Sequence, residues 1–594
     1  MLNLCTKKCV RWSIILLFAI LAGCLNQSSS IAATAGAKTG ILVVTPDRGF
    51  LGNEEINDGF ERFAARRNAG ILFVTDARSK DILDQRLTEL AGKGAEQIIV
   101  LPLFISTADA RWQMAQRWIV ERQKKGENLS IAKPYGSSYL AVEDLSDRLR
   151  QTPTDKKQLL LVGYGAVDAE SAAQMKSELT QMGESASVLL AKDIQVAVSP
   201  TWGAADKDLR TQYNAAIKNA HNALVVPVLL ANRADSMMSF LNGLTRSVPK
   251  DAQLVTSEFS TAEELQQWME YATNQAFLQS SDVKSKDIGV IALAHGADWF
   301  WNQDIRDALA PQSRNHPLAF AFSMADQPSV ERAVREIEKK PVHGIVLVRV
   351  FGEASSFRST VLRMIGADAG NGKSGHHGGH DDMGDMGGMD MSHGGMNMSH
   401  GGHAAMSTLA AAPRIRTNLP IITVGGVEDS PYFAKALLAN ARSISVDPSR
   451  ETIILTAHGA GSDADNEHWL GLLANLGNQM KAEDGYNFKD IRYVTWREDW
   501  PDKNKDEVAN ARKLVKQIND AGGRVLIVPA RINGRGAADR YLKGLNFGWS
   551  QGFAQTPYLS QWFGEQVTLG INQLTGAQPA SPHEHEHAHE HHAS

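Results

Sequence analysis

The sequence predicts an α/β protein made of four similar units, each a parallel four-stranded sheet flanked by helices, paired into two bilobal modules. Three observations predict it. An apolar run closed by a small residue, His and Gly occurs twice, as Thr452-Ile453-Ile454-Leu455-Thr456-Ala457-His458-Gly459 and as Gly289-Val290-Ile291-Ala292-Leu293-Ala294-His295-Gly296. The same run recurs at Ile41 to Asp47 and Leu159 to Gly165, where Pro46 and Tyr164 take the place of the His. The spacing is also even. It is 118 residues from Pro46 to Tyr164, 131 on to His295 and 163 on to His458, the last falling to 125 once a 38-residue stretch of foreign composition, Asp368 to Ala405, is set aside. A repeat of this length is one supersecondary unit used again.

An apolar run of this kind reads as a parallel strand buried on both faces, and its carboxyl end faces the ligand crevice of an open α/β sheet. In the first unit, residues 40–152, helices are expected at Glu54 to Arg67, Ile82 to Ala91, Arg111 to Gln123 and Tyr139 to Leu149. They alternate with strands at Ile71 to Thr75, Gln97 to Phe104 and Leu129 to Ala132. The second unit, 153–280, repeats the order with strands at Val196 to Val198 and Ala223 to Leu230. The third, 285–449, carries strands at Ala319 to Phe322, Gly344 to Val350 and Leu419 to Val424. The fourth, 450–575, has strands at Arg492 to Thr495 and Arg524 to Pro529.

Composition narrows the function classes. With 43% hydrophobic residues and a formal charge of -5 over 594 residues, the chain is neither a nucleic-acid binder nor a disordered acidic protein. Residues 1–24 read as a targeting segment: Lys7, Lys8 and Arg11 precede a short apolar core, Trp12 to Leu21. Leu21-Ala22-Gly23-Cys24 resembles the lipobox of bacterial lipoproteins, which implies lipidation at Cys24 and an extracytoplasmic, lipid-anchored protein. Leu25 after the Cys points to the outer membrane, facing the periplasm, in a Gram-negative cell. An ordinary secretory signal or short membrane anchor is the alternative. Residues 25–39 form a Ser/Ala/Gly-rich tether. Once Cys5 and Cys9 leave and Cys24 is lipidated, no free thiol remains, so a bound metal must be held by His, Met or carboxylate.

Two stretches carry metal-ligand chemistry. The insertion 368–405 holds His376, His377, His380, His393, His400 and His403, with Met391 and Met398 in paired Met-Ser-His-Gly-Gly repeats that resemble Met/His-rich segments of extracytoplasmic copper-handling proteins. The end of the chain, 576–594, holds His583, His585, His587, His589, His591 and His592 interleaved with Glu; an added affinity tag is the alternative there. Imidazole suits Cu(II), Ni(II), Co(II) and Zn(II), and thioethers select Cu(I), so the metal is a divalent ion among cobalt, nickel, copper, zinc and iron, or copper in its lower state.

The His-Gly strand ends, together with Val100-Leu101-Pro102-Leu103-Phe104, Val225-Val226-Pro227-Val228-Leu229 and the turn Pro134-Tyr135-Gly136, resemble the class II chelatases, the sirohydrochlorin cobaltochelatases and ferrochelatases. The resemblance extends from Gly40 to about Leu574 outside the insertion and implies a tandem, exported form of that fold. It implies a cleft between paired units, with His295 and His458 as metal ligands and catalytic bases. By the same resemblance, Arg531 and Arg535, near Arg540 and Lys543, would meet the carboxylates of a tetrapyrrole; a solvated basic face is the alternative. A single His at a strand end is also commonly just a turn residue. Trp299, Phe300 and Trp301 either stack on a macrocycle or pack in a core. The second family His is missing: its equivalents are Ala110, Asp235, Phe357 and Ala537, with Glu353 close by. Two readings follow, a metal-binding lipoprotein on a chelatase-like fold and an active chelatase inserting Co(II), Ni(II) or Fe(II) into sirohydrochlorin or a related tetrapyrrole. Protein partners are not legible.

Overall fold

A computed structural model of the chain describes residues 39–186, 193–201, 206–230, 240–257, 259–280, 283–367 and 414–577. Residues 1–38, on which the expected targeting segment, Cys24 and tether fall, Asp235, and the His- and Met-bearing residues of the insertion and the tail lie outside these residues.

The chain divides into two compact units, Met1–Ala276 and Phe277–Ser594. In the first, β1 (Thr39–Pro46), α1 (Gly49–Ala64), β2 (Ala69–Val74), α2 (Ser79–Gly92), β3 (Gln97–Pro102), α3 (Ala110–Lys124), β4 (Leu129–Ile131) and α4 (Tyr139–Gln151) form one lobe. A second lobe follows with β5 (Gln158–Ala166), α5 (Ala169–Ala186), β6 (Asp193–Pro200), α6 (Lys207–Lys218), β7 (Ala223–Pro227), α7 (Phe240–Ser247), β8 (Gln253–Leu254) and α8 (Ala262–Leu278). The carboxyl-terminal unit repeats this with β9 (Ile288–Ala294), α9 (Trp299–Leu309), β10 (Leu318–Phe322), α10 (Gln327–Glu338), β11 (Gly344–Val350), α11 (Arg358–Met364), β12 (Ile421–Gly425) and α12 (Pro431–Ile444). Its last lobe has β13 (Glu451–Ala457), α13 (Asp463–Ala482), β14 (Asp490–Thr495), α14 (Pro501–Asp520), β15 (Arg524–Pro529), α15 (Ala538–Tyr541), β16 (Phe547–Trp549) and α16 (Tyr558–Thr575).

Each lobe holds one four-stranded sheet in the order second-first-third-fourth, and all pairings are parallel. In every sheet the first strand lies between the second and the third, and the topological switch point, where open α/β sheets bind ligands, falls between the first and third strands. The expected fold class is therefore observed. Every residue of β9 and of β13 is buried, which is why these strands are continuous apolar runs and not alternating ones.

Boundaries differ from the sequence expectation where proline intervenes. The third strands were expected to reach Phe104 and Leu230, and they stop at Pro102 and Pro227. Proline has no N–H for the ladder, and Phe104 N–H turns back to the Pro102 carbonyl instead. The cross-strand register aligns the four lobes independently of sequence. Val44 faces Pro102, Val162 faces Pro227, Thr456 faces Pro529 and Leu293 faces Arg349. Two residues past each first-strand member stand Pro46, Tyr164, His458 and His295, so the assigned equivalence holds, and Arg349 replaces the proline of the other three lobes.

In the carboxyl-terminal unit the two sheets share one core. Val346, Val348, Ile453, Leu455, Leu526 and Val528 pack with Leu437 of α12, Leu473 of α13 and Phe563 of α16 in a single cluster. The last helices are exchanged: α16, from the end of the fourth lobe, lies on β11 and β12 of the third, while α12 lies on β15 of the fourth. The approach is close. A Cβ on Gly570 would come 2.4 Å from Val346 Cγ1, so only glycine lets α16 settle onto β11.

The insertion starts and ends at one place. Ile415 N–H donates to the Met364 carbonyl at 2.8 Å, and Ile345 N–H at the start of β11 donates to the Pro420 carbonyl at 2.9 Å. The end of α16 reaches the same edge, where Leu574 approaches Gly344. The described residues that flank both His-rich stretches therefore lie at the amino-terminal edge of the third sheet, opposite the strand ends that bear the histidines.

Candidate functional site

His295 and His458 directly follow β9 and β13, and both line one cavity of ≈ 320 Å³. The end of β11 with the residues after it, Val350 to Gly352, and the segment after β15, Ala530 to Asn533, supply much of the rest of the wall, so the cavity lies at the switch points of both sheets. Its apolar side is Trp301, Phe351, Phe433, Trp469 and leucines of α13; its charged side is Glu428, Glu498, Arg531, Asp539 and Arg540.

The two imidazoles are held alike. His295 Nδ1 lies 2.7 Å from the Gly296 carbonyl and His458 Nδ1 lies 2.9 Å from that of Gly459. A carbonyl only accepts, so each Nδ1 carries the proton, and in the neutral ring Nε2 keeps its lone pair. The turn demands glycine: Gly296 and Gly459 have φ of 76° and 80°, which carries the carbonyl back under the ring.

Their surroundings differ. His458 is 4% exposed. Its Nε2 comes within 3.3 Å of Asp499 Oδ2, an ion pair when the ring is protonated. Burial pushes the His458 imidazole down, but Asp499, the charge of Glu498 and the Gly459 carbonyl outweigh it and hold its pKa above the ordinary histidine value. Trp500 stands edge-on to the ring, with centroids 5.9 Å apart. Glu498 is also tied to Arg531 at 2.6 Å, both largely buried, so one guanidinium of the cavity already has a carboxylate.

Arg349, buried where the other lobes have proline, donates to the carbonyls of Ala354, Ser356 and Gly425 and to Thr423 Oγ1. Burial draws its guanidinium down to about 10. These bonds shape the loop after β11 and carry Glu428 to the cavity wall, where its carboxylate accepts from Ala354 N–H at 3.1 Å.

The remaining expected residues fall in varied places. Arg531 and Arg540 line the cavity, whereas Arg535 is exposed with its guanidinium 5.5 Å from the Trp549 ring centre. Trp301 lines the cavity, but Trp299 and Phe300 are 68% and 79% exposed, so core packing does not account for them. Arg306 lies over the Trp299 ring at 5.4 Å. At the missing second His, Ala110 opens α3, and Phe357 and Ala537 cap α11 and α15. Among the described residues no group of three or more His, Cys, Asp or Glu is gathered for a metal ion.

The matching place in the amino-terminal unit is nearly closed. A cavity of ≈ 30 Å³, room for about one water, lies between Pro46, Arg48, Asp109 and Tyr164. The Arg48 and Arg111 guanidinia stand 5.7 and 6.0 Å from the Tyr164 ring centre. Burial pushes Asp109 up, against the pull of Arg111.

Glu428, Glu498, Asp499 and Arg497 were missed from the sequence. A signal for three of them existed: Arg497-Glu498-Asp499 follows the second strand of its lobe, a place the repeat already marks as a rim of the cleft.

No protein-family description matches the chain, and no curated protein does. Among solved structures, it is similar to the sirohydrochlorin chelatase SirB of Bacillus subtilis subspecies spizizenii in complex with cobalt. The match has 17% identity over 36% of this chain and 86% of that one, with a TM-score of 0.28. A likeness this distant carries no argument about function.

Proposed function

We propose that the chain is an extracytoplasmic, lipid-anchored protein that binds divalent metal ions of the cobalt, nickel and copper type, with the cleft of its carboxyl-terminal unit as the ordered site. One observation carries the reading: two imidazoles, set in the same tautomer by the same His-Gly turn, line one cavity. The Nε2 lone pair of a neutral imidazole is what a borderline metal takes up, and at His458 the metal would displace the proton that Asp499 favours. With two imidazoles as its protein ligands, the ion would complete its coordination from water or from a bound molecule.

Metal supply falls to the two His-rich stretches. The described residues that flank them, Ala367, Arg414 and the end of α16, lie at one edge of the third sheet, which supports a joint role. The stretches would raise the local metal concentration while the cleft selects.

The second reading, metal insertion into a tetrapyrrole, draws on the cavity itself. Its volume lies at the lower end for small-molecule sites, and an apolar wall faces imidazoles and Arg531. In that case Nε2 of His295 and His458 would present the metal ion, as substrate, and accept pyrrole protons. The test is a cobalt titration of the full chain, of a variant lacking both His-rich stretches, and of His295→Ala with His458→Ala, each with and without sirohydrochlorin. Loss of one tight equivalent in the double variant alone supports the cleft. A tightest site that vanishes with the stretches and survives the double substitution overturns it. A metal-dependent change in the sirohydrochlorin spectrum that requires both histidines selects the enzymatic reading.

A further inference from the structure

We propose that Arg497 is the positioning residue of His458, and that the two cleft histidines are thereby unequal partners, one clamped and one not. The inference rests on the cleft reading above for its functional half and on geometry alone for its structural half.

Arg497 lies in the left-handed region, φ 50°, which is strained for a residue with a Cβ, and it is 6% exposed. The contacts it makes there offset that strain. Its own N–H donates to the His458 carbonyl at 2.6 Å. Its Nε donates to the Ala460 carbonyl at 2.7 Å and its Nη2 to the Gly461 carbonyl at 2.6 Å, while Nη1 meets Asp463 at 2.8 Å. The Gly459 carbonyl is taken by His458 Nδ1. All four carbonyls from His458 to Gly461 are thus engaged, three of them by one residue. Asn466 Oδ1 accepts from Ala460 N–H on the other side of the turn.

The sister lobe is the natural comparison. Ala457 pairs with Thr495 and Ala294 with Phe322, so two residues further on Arg497 and Met324 are equivalent. The helices that follow begin with Pro501 and with Pro328 at its second residue, which confirms the register. Asn302 repeats the role of Asn466 toward Ala297. A thioether, however, has no donor for the carbonyls of the His295 turn, and Met324 is 39% exposed. The next residues diverge likewise: Glu498 corresponds to Ala325, which holds the left-handed φ of the sister loop, 57°, so the acid also belongs to the clamped side. The His458 turn is thus pinned at its carbonyls beside Asp499, whereas no guanidinium from the equivalent position reaches the His295 turn.

Hydrogen–deuterium exchange of the full chain, read on the peptide covering 455–465, tests this with the His-rich stretches present equally in every variant. The variants are Arg497→Met, which installs the sister residue, and Arg497→Lys, which keeps one donor. In the metal-free protein we expect the 458–461 turn to exchange faster in Arg497→Met, with Arg497→Lys intermediate and the strand peptides of β13 unchanged. The cobalt concentration that half-protects the turn should rise by about 10- to 100-fold in Arg497→Met, the usual effect of losing a residue that orients a metal-binding imidazole. Unchanged exchange at the turn in both variants would overturn the clamp. A parent chain whose turn ignores cobalt would overturn the cleft reading and the functional half with it, and the metal-free comparison distinguishes that failure from the first.

Discussion

Replacing Gly570 by Ala makes the exchange of α16 measurable through the sign of one stability change. In an exposed helix, alanine gains about 1 kcal/mol over glycine. At Gly570 the new methyl would stand 2.4 Å from Val346 Cγ1, 2.9 Å from Cγ2 and 3.2 Å from Cβ, and overpacking of that kind costs about 1–3 kcal/mol. The net expectation is a loss of about 0–2 kcal/mol, seen as a lower melting transition for the carboxyl-terminal unit, at roughly 2–4 °C per kcal/mol for a body of this size. Gly471, in α13, is the internal control, since a Cβ there meets nothing within 4 Å. Gly471→Ala should raise the transition by the propensity term alone. Adding Val346→Ala should relieve the clash, so the double variant with Gly570→Ala should lose less than the two single losses added together. The assay is differential scanning calorimetry of the full chain, with the transition assigned by which variant moves it. Stabilisation by Gly570→Ala, matching Gly471→Ala, would refute the reasoning, because it would mean that α16 does not rest on β11.

Three further outcomes are expected. Deleting 368–413 and joining the flanks through a short Gly/Ser turn should leave the stability unchanged or raise it by about 1 kcal/mol, because a shorter loop costs less entropy and the Ile415–Met364 bond already closes the gap; a collapse of the fold would contradict it. The His458 imidazole should titrate above the ordinary value of 6.5, and Asp499→Asn should lower its midpoint, as followed by ring-nitrogen NMR. Folding raises this pKa, so the stability it contributes is complete below about 6.5 and is lost as pH rises through the folded value, and Asp499→Asn should flatten that part of the stability profile. Cys24→Ser should abolish lipid labelling and release the protein from membranes, and continued retention would place the anchor elsewhere.

Much of this protein is local in origin. Uninterrupted apolar runs determined the four buried first strands, because a strand covered on both faces needs no polar alternation. Pairing glycine with His295 and with His458 determined the ring tautomers, because a positive φ one residue on is enough to bring a carbonyl under Nδ1. The foreign composition of the insertion determined that it stands apart from the repeat. Other features were decided only by contacts between distant residues. Arg497 and Met324 look unrelated until Thr495 and Phe322 are seen in register with Ala457 and Ala294. Glu498 reads as one acid among many until Arg531, 33 residues on, closes over it. Arg535 and Arg531 look interchangeable in sequence, yet the turn with positive φ at Gly534 and Gly536 sends one to the cavity and the other to Trp549. The placing of α16 on the third sheet instead of its own has no local signal at all. It follows from burying two apolar sheet faces against one shared layer of helices, a solution that exists only when both lobes are present.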